Sequence, residues 1–283
     1  MSSQIKKALV TGGNGFIGSH LVKYLESRNI EVIVFDKKDG CDITDKESLI
    51  KKMKGVDIVF HLAGMLGTHE LVDCAQEAVK VNVIGTLNVL DVCVDFGAKL
   101  IEISKPNCWV NTYTITKVAA ESFTDMYRRE FGLKAITVKW FNVYGTGQPL
   151  VEEAGYKKLI PTAIVNALKN KPIQIYGNGE QTMDLVHTKD SVEAVLTLVD
   201  NWDKYDGGTY EVGSGEEITV NEAVQKIIEL TNSKSEILHI PMRKGEWDNT
   251  RIKAKINFEW IPKVSLIDGL IETIEWYNKK YNG

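Results

Sequence analysis

Two short stretches hold residue types that suit joint chemistry. In "YTITK", Tyr113 and Lys117 stand four residues apart at the start of a long helical pattern, so they share one helix face. A phenol ordinarily titrates at about 10, and a neighbouring positive charge favours its phenolate. Such a pair suits proton transfer to or from a hydroxyl. On spacing alone, the commoner fate is a surface lysine beside a half-buried tyrosine. The second stretch, "TGGNGFIG" at 11–18, changes those odds. Gly12, Gly15 and Gly18 close an apolar run and open a helical one. The first glycine permits a tight turn, the second lets backbone approach a pyrophosphate, and the third lets helix pack on strand. The phosphate then meets the amides of the first helical turn. The next apolar run ends at Asp36. A carboxylate there accepts from a ribose 2′-OH and repels a 2′-phosphate, which favours NAD over NADP. Lys37 and Lys38, next in the chain, pull the other way.

These residues need elements to position them. Strand-like runs at 5–11, 31–36, 57–62, 99–104 and 135–140 alternate with helical spacing at 16–28, 44–53, 70–96 and 112–131. The strands are almost uniformly apolar, which predicts a parallel sheet covered on both faces. After residue 145 the texture changes to Gly- and Pro-bearing loops ("YGTGQP", "IYGNGEQ") and two clear helices, 220–231 and 266–279. The predicted fold is α/β: a doubly wound parallel sheet (Rossmann) with a smaller C-terminal substrate-binding lobe. The first unit is placed over 1–145 plus about 182–205, and the lobe over 146–181 plus about 206–283. Ligands of such sheets bind above the carboxyl ends of the strands.

Composition narrows the class. Of 283 residues, 43% are hydrophobic and 25% charged, with a net charge of −4, the balance of an ordinary globular protein. No clustered basic face points to nucleic acid or a membrane surface. The N-terminus shows no signal-type apolar segment, and no run is long enough to span a bilayer, so a cytoplasmic location is expected. Cys41, Cys74, Cys93 and Cys108 lack C-x-x-C spacing and read as reduced thiols. No metal site is expected.

Several stretches in order carry a family resemblance: the G-x-x-G-x-x-G loop, "HLAG" at 61–64, "VNVIGTLNVL" at 81–90, "YTITK", "WFNVYG" at 140–145, "LIPTAIVNALKNKPIQIYGNGEQTMDLVHTKD" at 159–190 and "PMRKGE" at 241–246. Together the chain resembles the extended short-chain dehydrogenase/reductases, in their NAD-dependent nucleotide-sugar epimerase/dehydratase branch, over nearly its whole length. The resemblance implies roles. Gly12, Gly15, Phe16, Ile17 and Gly18 hold the pyrophosphate of NAD. Asp36, with Lys37 beside it, holds the adenosine ribose, and Asp42 and Ile43 flank the adenine. Leu62, Ala63 and Gly64 line the dinucleotide path, with Asn82 behind it. Tyr113 and Lys117 are the catalytic pair, Lys117 also holding the nicotinamide ribose. Asn142, Lys158, Leu159, Gln174, Tyr176, Arg243 and Glu246 surround a nucleotide sugar. The chain is expected to form a homodimer through 70–96 and 112–131.

The family pattern breaks in two places. After the fourth strand, relatives carry several small hydroxyl residues and a longer insert; here the segment is "ISKPNCWVNTYTITK". Ser104 fits the first hydroxyl position, while Lys105 and Pro106 fill the next two. Ser104, Asn107 or Thr112 then stands in as hydrogen-bonding partner of Tyr113, or the proton chemistry is altered. The acid that dehydratases place in this stretch is also missing. Met183 stands where many relatives carry an anion-gripping Arg; either Arg243, alone or with Arg251 or Lys158, meets the phosphates, or the substrate is not the usual nucleoside diphosphate. His61 reads as a packed, hydrogen-bonded histidine, and His69 and Glu70 as loop residues near the substrate. The expected activity is NAD-dependent epimerisation of a nucleotide sugar, at C4 through a transient keto sugar. A 4-ketoreductase or 4,6-dehydratase on the same scaffold is the alternative, and a non-catalytic NAD-binding sensor is the rival of another class.

Overall fold

A computed structural model describes residues 5–282; residues 1–4, which the sequence reading places in the first unit, lie outside it with Gly283. The chain begins β1 (Lys7–Thr11), α1 (Phe16–Ser27), β2 (Glu31–Phe35), α2 (Lys46–Lys52) and β3 (Ile58–His61). It continues through α3 (Ala75–Val79), a π-helical turn (Lys80–Ile84), α4 (Gly85–Phe96), β4 (Lys99–Ser104), α5 (Thr112–Phe131) and β5 (Ala135–Trp140). Then follow β6 (Asn142–Tyr144), α6 (Val151–Ala154), α7 (Leu159–Leu168), β7 (Ile173–Tyr176), β8 (Thr182–Met183), β9 (Leu185–His187), α8 (Thr188–Asp200) and α9 (Trp202–Tyr205). The last elements are β10 (Thr209–Val212), β11 (Ile218–Thr219), α10 (Val220–Leu230), β12 (Ile237–Ile240) and α11 (Leu266–Asn282).

The central sheet has six strands in the order β10-β5-β4-β3-β1-β2, all parallel. Its strands are buried on both faces because side chains alternate about the pleat. Ala8, Val10, Ile58 and Phe60 pack with Leu21 and Leu25 of α1 and Val192 and Val195 of α8. Leu9, Val59 and Leu100 pack on the opposite layer with Leu49 of α2 and Val89 and Leu90 of α4. Strand order reverses at the β1/β3 boundary, which leaves a crevice above their carboxyl ends. A separate core joins Ile160 and Ile164 of α7, Ile173 and Ile175 of β7, Val224 of α10 and Ile274 of α11.

Two expectations are revised. The strand Thr209–Val212 pairs with β5 in the main sheet, past the 205 boundary expected for the first unit. Four residues that run from exposed Thr209 to buried Val212 carry too little pattern to announce a sheet strand. The helix expected over 70–96 is interrupted: a 3-10 turn at Val72–Cys74 precedes α3, and the π turn separates α3 from α4. The wider turn carries Asn82, and such turns often mark functional sites. Among the described residues, no helix is long and apolar enough to cross a membrane.

His61 closes β3 and is fully wrapped. Thr86 Oγ1 donates to the Asn82 carbonyl at 2.7 Å, so it accepts from His61 Nε2–H at 3.0 Å. Thr11 Oγ1 then donates to Nδ1 at 2.8 Å and accepts from the Ala63 N–H at 3.1 Å. The network selects the neutral Nε2–H tautomer. Burial, with the Lys117 charge beside it, draws the imidazole pKa down from 6.5 to about 3. The unfolded chain therefore takes up a proton that the folded chain refuses. Stability from this group is complete above the unfolded value and is lost as pH falls toward 3, at up to about 1.4 kcal/mol per pH unit. Denaturant midpoints measured from pH 7 to pH 4 should fall, and His61→Gln should flatten that slope. An equal slope in the variant would refute the assignment.

Candidate active site

The crevice is a cleft of about 1010 Å³ that runs from the glycine loop to the fifth helix. At one end the loop after β1 turns at Gly12, whose φ is +71°, a conformation glycine adopts freely. A Cβ there would lie 2.9 Å from the Ala63 nitrogen. A Cβ on Gly18 would lie 2.2 Å from the Gly12 carbonyl. The cradle is therefore filled by backbone, and α1 starts directly beyond it at Phe16. First-turn amides have no acceptor within their helix, and the helix dipole adds partial positive charge there. Asp36 sits at the end of β2 and accepts from the Asn14 N–H at 2.9 Å and the Lys38 N–H at 2.9 Å. Lys38 Nζ folds back onto the Asn14 carbonyl at 3.0 Å, and Lys37 reaches Asp42 at 3.6 Å. Both lysines are thus engaged around the loop and the acid. Thr44 holds Asp42 through N–H and Oγ1, which pulls its carboxyl below the usual range.

Gly12, Gly15, Phe16, Ile17, Gly18, Asp36, Lys37, Asp42, Ile43, Leu62, Ala63, Gly64, Tyr113 and Lys117 all line this one cleft. Asn82 stands behind it. Its Oδ1 accepts from the Met65 N–H at 2.7 Å, and its Nδ2 donates to the Met65 carbonyl at 3.1 Å. The same Nδ2 donates to Thr116 Oγ1 at 3.1 Å, and Thr116 donates to the Tyr113 carbonyl at 3.0 Å. One buried amide thereby fastens the loop after β3 to the helix that carries Tyr113 and Lys117.

That helix starts sharply because Asn111 Oδ1 caps the Thr114 N–H at 2.9 Å. Tyr113 and Lys117 follow one turn apart. Burial, together with Tyr156, pushes the Tyr113 phenol up; it also draws the Lys117 ammonium down, against the pull of Glu102 and Glu121. Glu102 on β4 is wholly buried with Oε1 unpartnered, and burial raises its carboxyl. The expected depression of the phenol by its neighbouring ammonium is therefore not a property of the protein alone. Ser104 lines the cleft, but its hydroxyl donates to Glu121, which is ion-paired with Lys139 at 2.9 Å. Among the described residues, Ser104, Asn107 and Thr112 make no hydrogen bond to Tyr113. Lys105 stands over the ring instead, its Nζ 5.5 Å from the Tyr113 ring centroid. The sequence reading marks Lys105 only as a departure; its approach to the tyrosine follows from the shortened connection, which no local pattern encodes.

The substrate residues divide. Asn142 and Lys158 line the cleft. Leu159 opens α7, and Gln174 is exposed on β7; neither borders the cleft. Tyr176 lies beneath Arg243, 5.0 Å from ring centroid to guanidinium, and Arg243 pairs with Glu246 at 2.6 Å. Glu246 also accepts from Thr68, a cleft residue, so this group forms a second rim. Arg251 is exposed and reaches only Glu217, at 3.6 Å. His69 does not border the cleft, and Glu70 accepts from the Lys157 N–H at 3.1 Å.

A family model described as the NAD dependent epimerase/dehydratase family matches residues 8–105 and 106–213. The chain belongs to this family. It is 30% identical to a UDP-N-acetyl-alpha-D-glucosaminuronate decarboxylase of Bacillus cytotoxicus, over 98% of this chain and 99% of that one. It is 28% identical to the human dTDP-D-glucose 4,6-dehydratase, over 98% of this chain and 91% of that one. The fold matches a UDP-glucose 4-epimerase from Thermotoga maritima, solved with UDP-glucose, at a TM-score of 0.87 and 28% identity, over 97% of this chain and 99% of that one. Relatives thus run epimerisation, dehydration and decarboxylation of nucleotide sugars on this scaffold. The cofactor of the family is NAD, and the cradle fits it: glycines whose Cβ would strike backbone, a helix N-terminus, and Asp36 at the end of β2.

Proposed function

We propose that the protein is an epimerase of a nucleotide sugar, acting at C4. NAD held by the glycine loop and Asp36 would supply hydride-transfer chemistry at C4 of the sugar, with the hydride restored on the opposite face. Tyr113 takes the proton of the C4 hydroxyl and later gives it back. Lys117 holds positive charge beside it and orients the nicotinamide ribose. Gly12, Gly15, Phe16, Ile17 and Gly18 grip the pyrophosphate, Asp36 the ribose, and Asp42 and Ile43 the adenine side. Asn142 and Lys158 meet the sugar nucleotide inside the cleft, and Arg243, held by Glu246 over Tyr176, meets it at the rim.

The observation that carries this reading is that Tyr113 and Lys117 share the dinucleotide cleft with no cleft-lining carboxyl group posted beside them. Dehydration needs an acid for the departing hydroxyl. The carboxylates lining the cleft are Asp36, Asp42, Glu77 and Glu153. The first two belong to the glycine-loop end, Glu77 stands on the exposed face of α3, and Glu153 is tied to Lys280 at 2.7 Å. Exposed apolar side chains along 79–96 and on α5, among them Phe96, Ile115 and Phe131, support a homodimer through these helices.

The test incubates purified protein, with and without added NAD, with UDP-, GDP-, dTDP- and CDP-sugars, and reads products by NMR and mass spectrometry. A product of unchanged mass with an inverted C4 is expected. Loss of water would establish a dehydratase, and net NADH consumption with a keto sugar a reductase. Sedimentation of the same sample reads the dimer.

A further inference from the structure

Lys105 is a cation in search of an anion. It follows the last residue of β4 and lines the cleft with Tyr113 and Lys117. Its Nζ donates to the Pro106 carbonyl at 2.6 Å and to Thr114 Oγ1 at 2.9 Å. Both acceptors are neutral, and a third N–H is left over, since an ammonium has three. Among the described residues no carboxylate lies within ion-pair distance of it. Cys108 and Glu121 reach it through space, but burial holds the Cys108 thiol protonated, and Glu121 is already matched by Lys139 at 2.9 Å and by the Ser104 hydroxyl. Burial and the charges of Lys139 and Lys158 oppose the ammonium, so the site gains by receiving a negative group.

Position says which negative group. If Tyr113 serves C4 of the sugar, a cation 5.5 Å from its ring stands beside the neighbours of C4. The diphosphate hangs from C1, across the pyranose ring, where Lys158 and the Arg243 rim are available. Of the two ring neighbours of C4, C3 bears a neutral hydroxyl in the common hexoses, and C5 bears C6, which is a carboxylate in a hexuronic acid. Resting on the nucleotide-sugar reading above, we infer that the substrate is a nucleoside diphosphate hexuronic acid whose C6 carboxylate is bound by Lys105. This makes Lys105 a specificity-determining residue.

The test titrates NAD-loaded protein with matched pairs, UDP-glucose against UDP-glucuronate and dTDP-glucose against dTDP-glucuronate, by calorimetry. In the wild type at least one uronate should bind more tightly than its neutral partner. Lys105→Met should lower that uronate-to-neutral preference about 10- to 100-fold, the loss expected for one charge-assisted contact, while Lys105→Arg keeps most of it. Equal NAD affinity in the variants shows an intact fold. Should Lys105→Met fail that check, the wild-type preference and the Arg variant still decide. A wild type that prefers the neutral sugars, or a preference that Lys105→Met leaves unchanged, overturns the inference alone. Failure of every nucleotide sugar to bind overturns the nucleotide-sugar reading and the inference with it.

Discussion

Tyr113→Phe should lower turnover by about a hundredfold to ten-thousandfold, the span of a lost general acid–base group, with little change in NAD affinity. The ring remains, so the packing under Lys105 and the Asn111 cap on the helix survive the change. What disappears is the one phenolic oxygen of the proposed catalytic pair. Its protonation is the informative part. Burial pushes the phenol up and the Lys117 ammonium down, so in the free protein the proton belongs firmly to Tyr113. Positive neighbours must act together to reverse this: Lys117 one helical turn away, Lys105 at 5.5 Å from the ring centroid, and the nicotinamide ring of the bound cofactor. The rate with a substrate identified by the product panel should therefore depend on one basic group whose apparent pKa is lower in the NAD-loaded enzyme than burial alone would give. A Tyr113→Phe enzyme that keeps more than a tenth of wild-type kcat would remove Tyr113 from the reaction.

How legible this site is depends on whether its physics is local. The glycine loop is readable because each glycine answers a steric demand within a few residues, and all three border the cleft. Sheet strands are readable because burial on both faces leaves no polar alternation. Asn82 is placed behind the site by resemblance, but the π turn that turns it onto Met65 costs the sequence no visible change, since Val79–Ile84 keeps helical residue types. The Thr11–His61–Thr86 chain joins three elements far apart in sequence, so its tautomer emerges only in the fold. Resemblance assigns Gln174 and Leu159 to the substrate, and neither borders the cleft. Ser104 is the natural proxy for the absent hydroxyls, yet its hydroxyl donates to Glu121. The deciding contact is tertiary: a shortened connection swings Lys105 against Tyr113.

Gly18→Ala should weaken NAD binding by at least about 10- to 100-fold and lower the melting temperature by several degrees. The added methyl would sit 2.2 Å from the Gly12 carbonyl oxygen and 2.9 Å from the Gly13 Cα. Both are backbone, so no side chain can swing aside. Relief requires α1 to move away from β1, and overpacking of this kind costs about 1–3 kcal/mol. The same movement should act on function, because α1 carries the amides of Phe16 and Ile17 proposed to hold the pyrophosphate. Gly12 donates to the Phe35 carbonyl at 2.9 Å and accepts from the Gly15 N–H at 3.0 Å. Displacing its carbonyl therefore disturbs the turn and the end of β2, next to Asp36, the proposed ribose partner. Destabilisation of the fold and loss of the cofactor should appear together, the melting temperature recovering only at NAD concentrations that saturate the weakened site. A Gly18→Ala protein with wild-type NAD affinity would mean that the pyrophosphate does not rest on this helix.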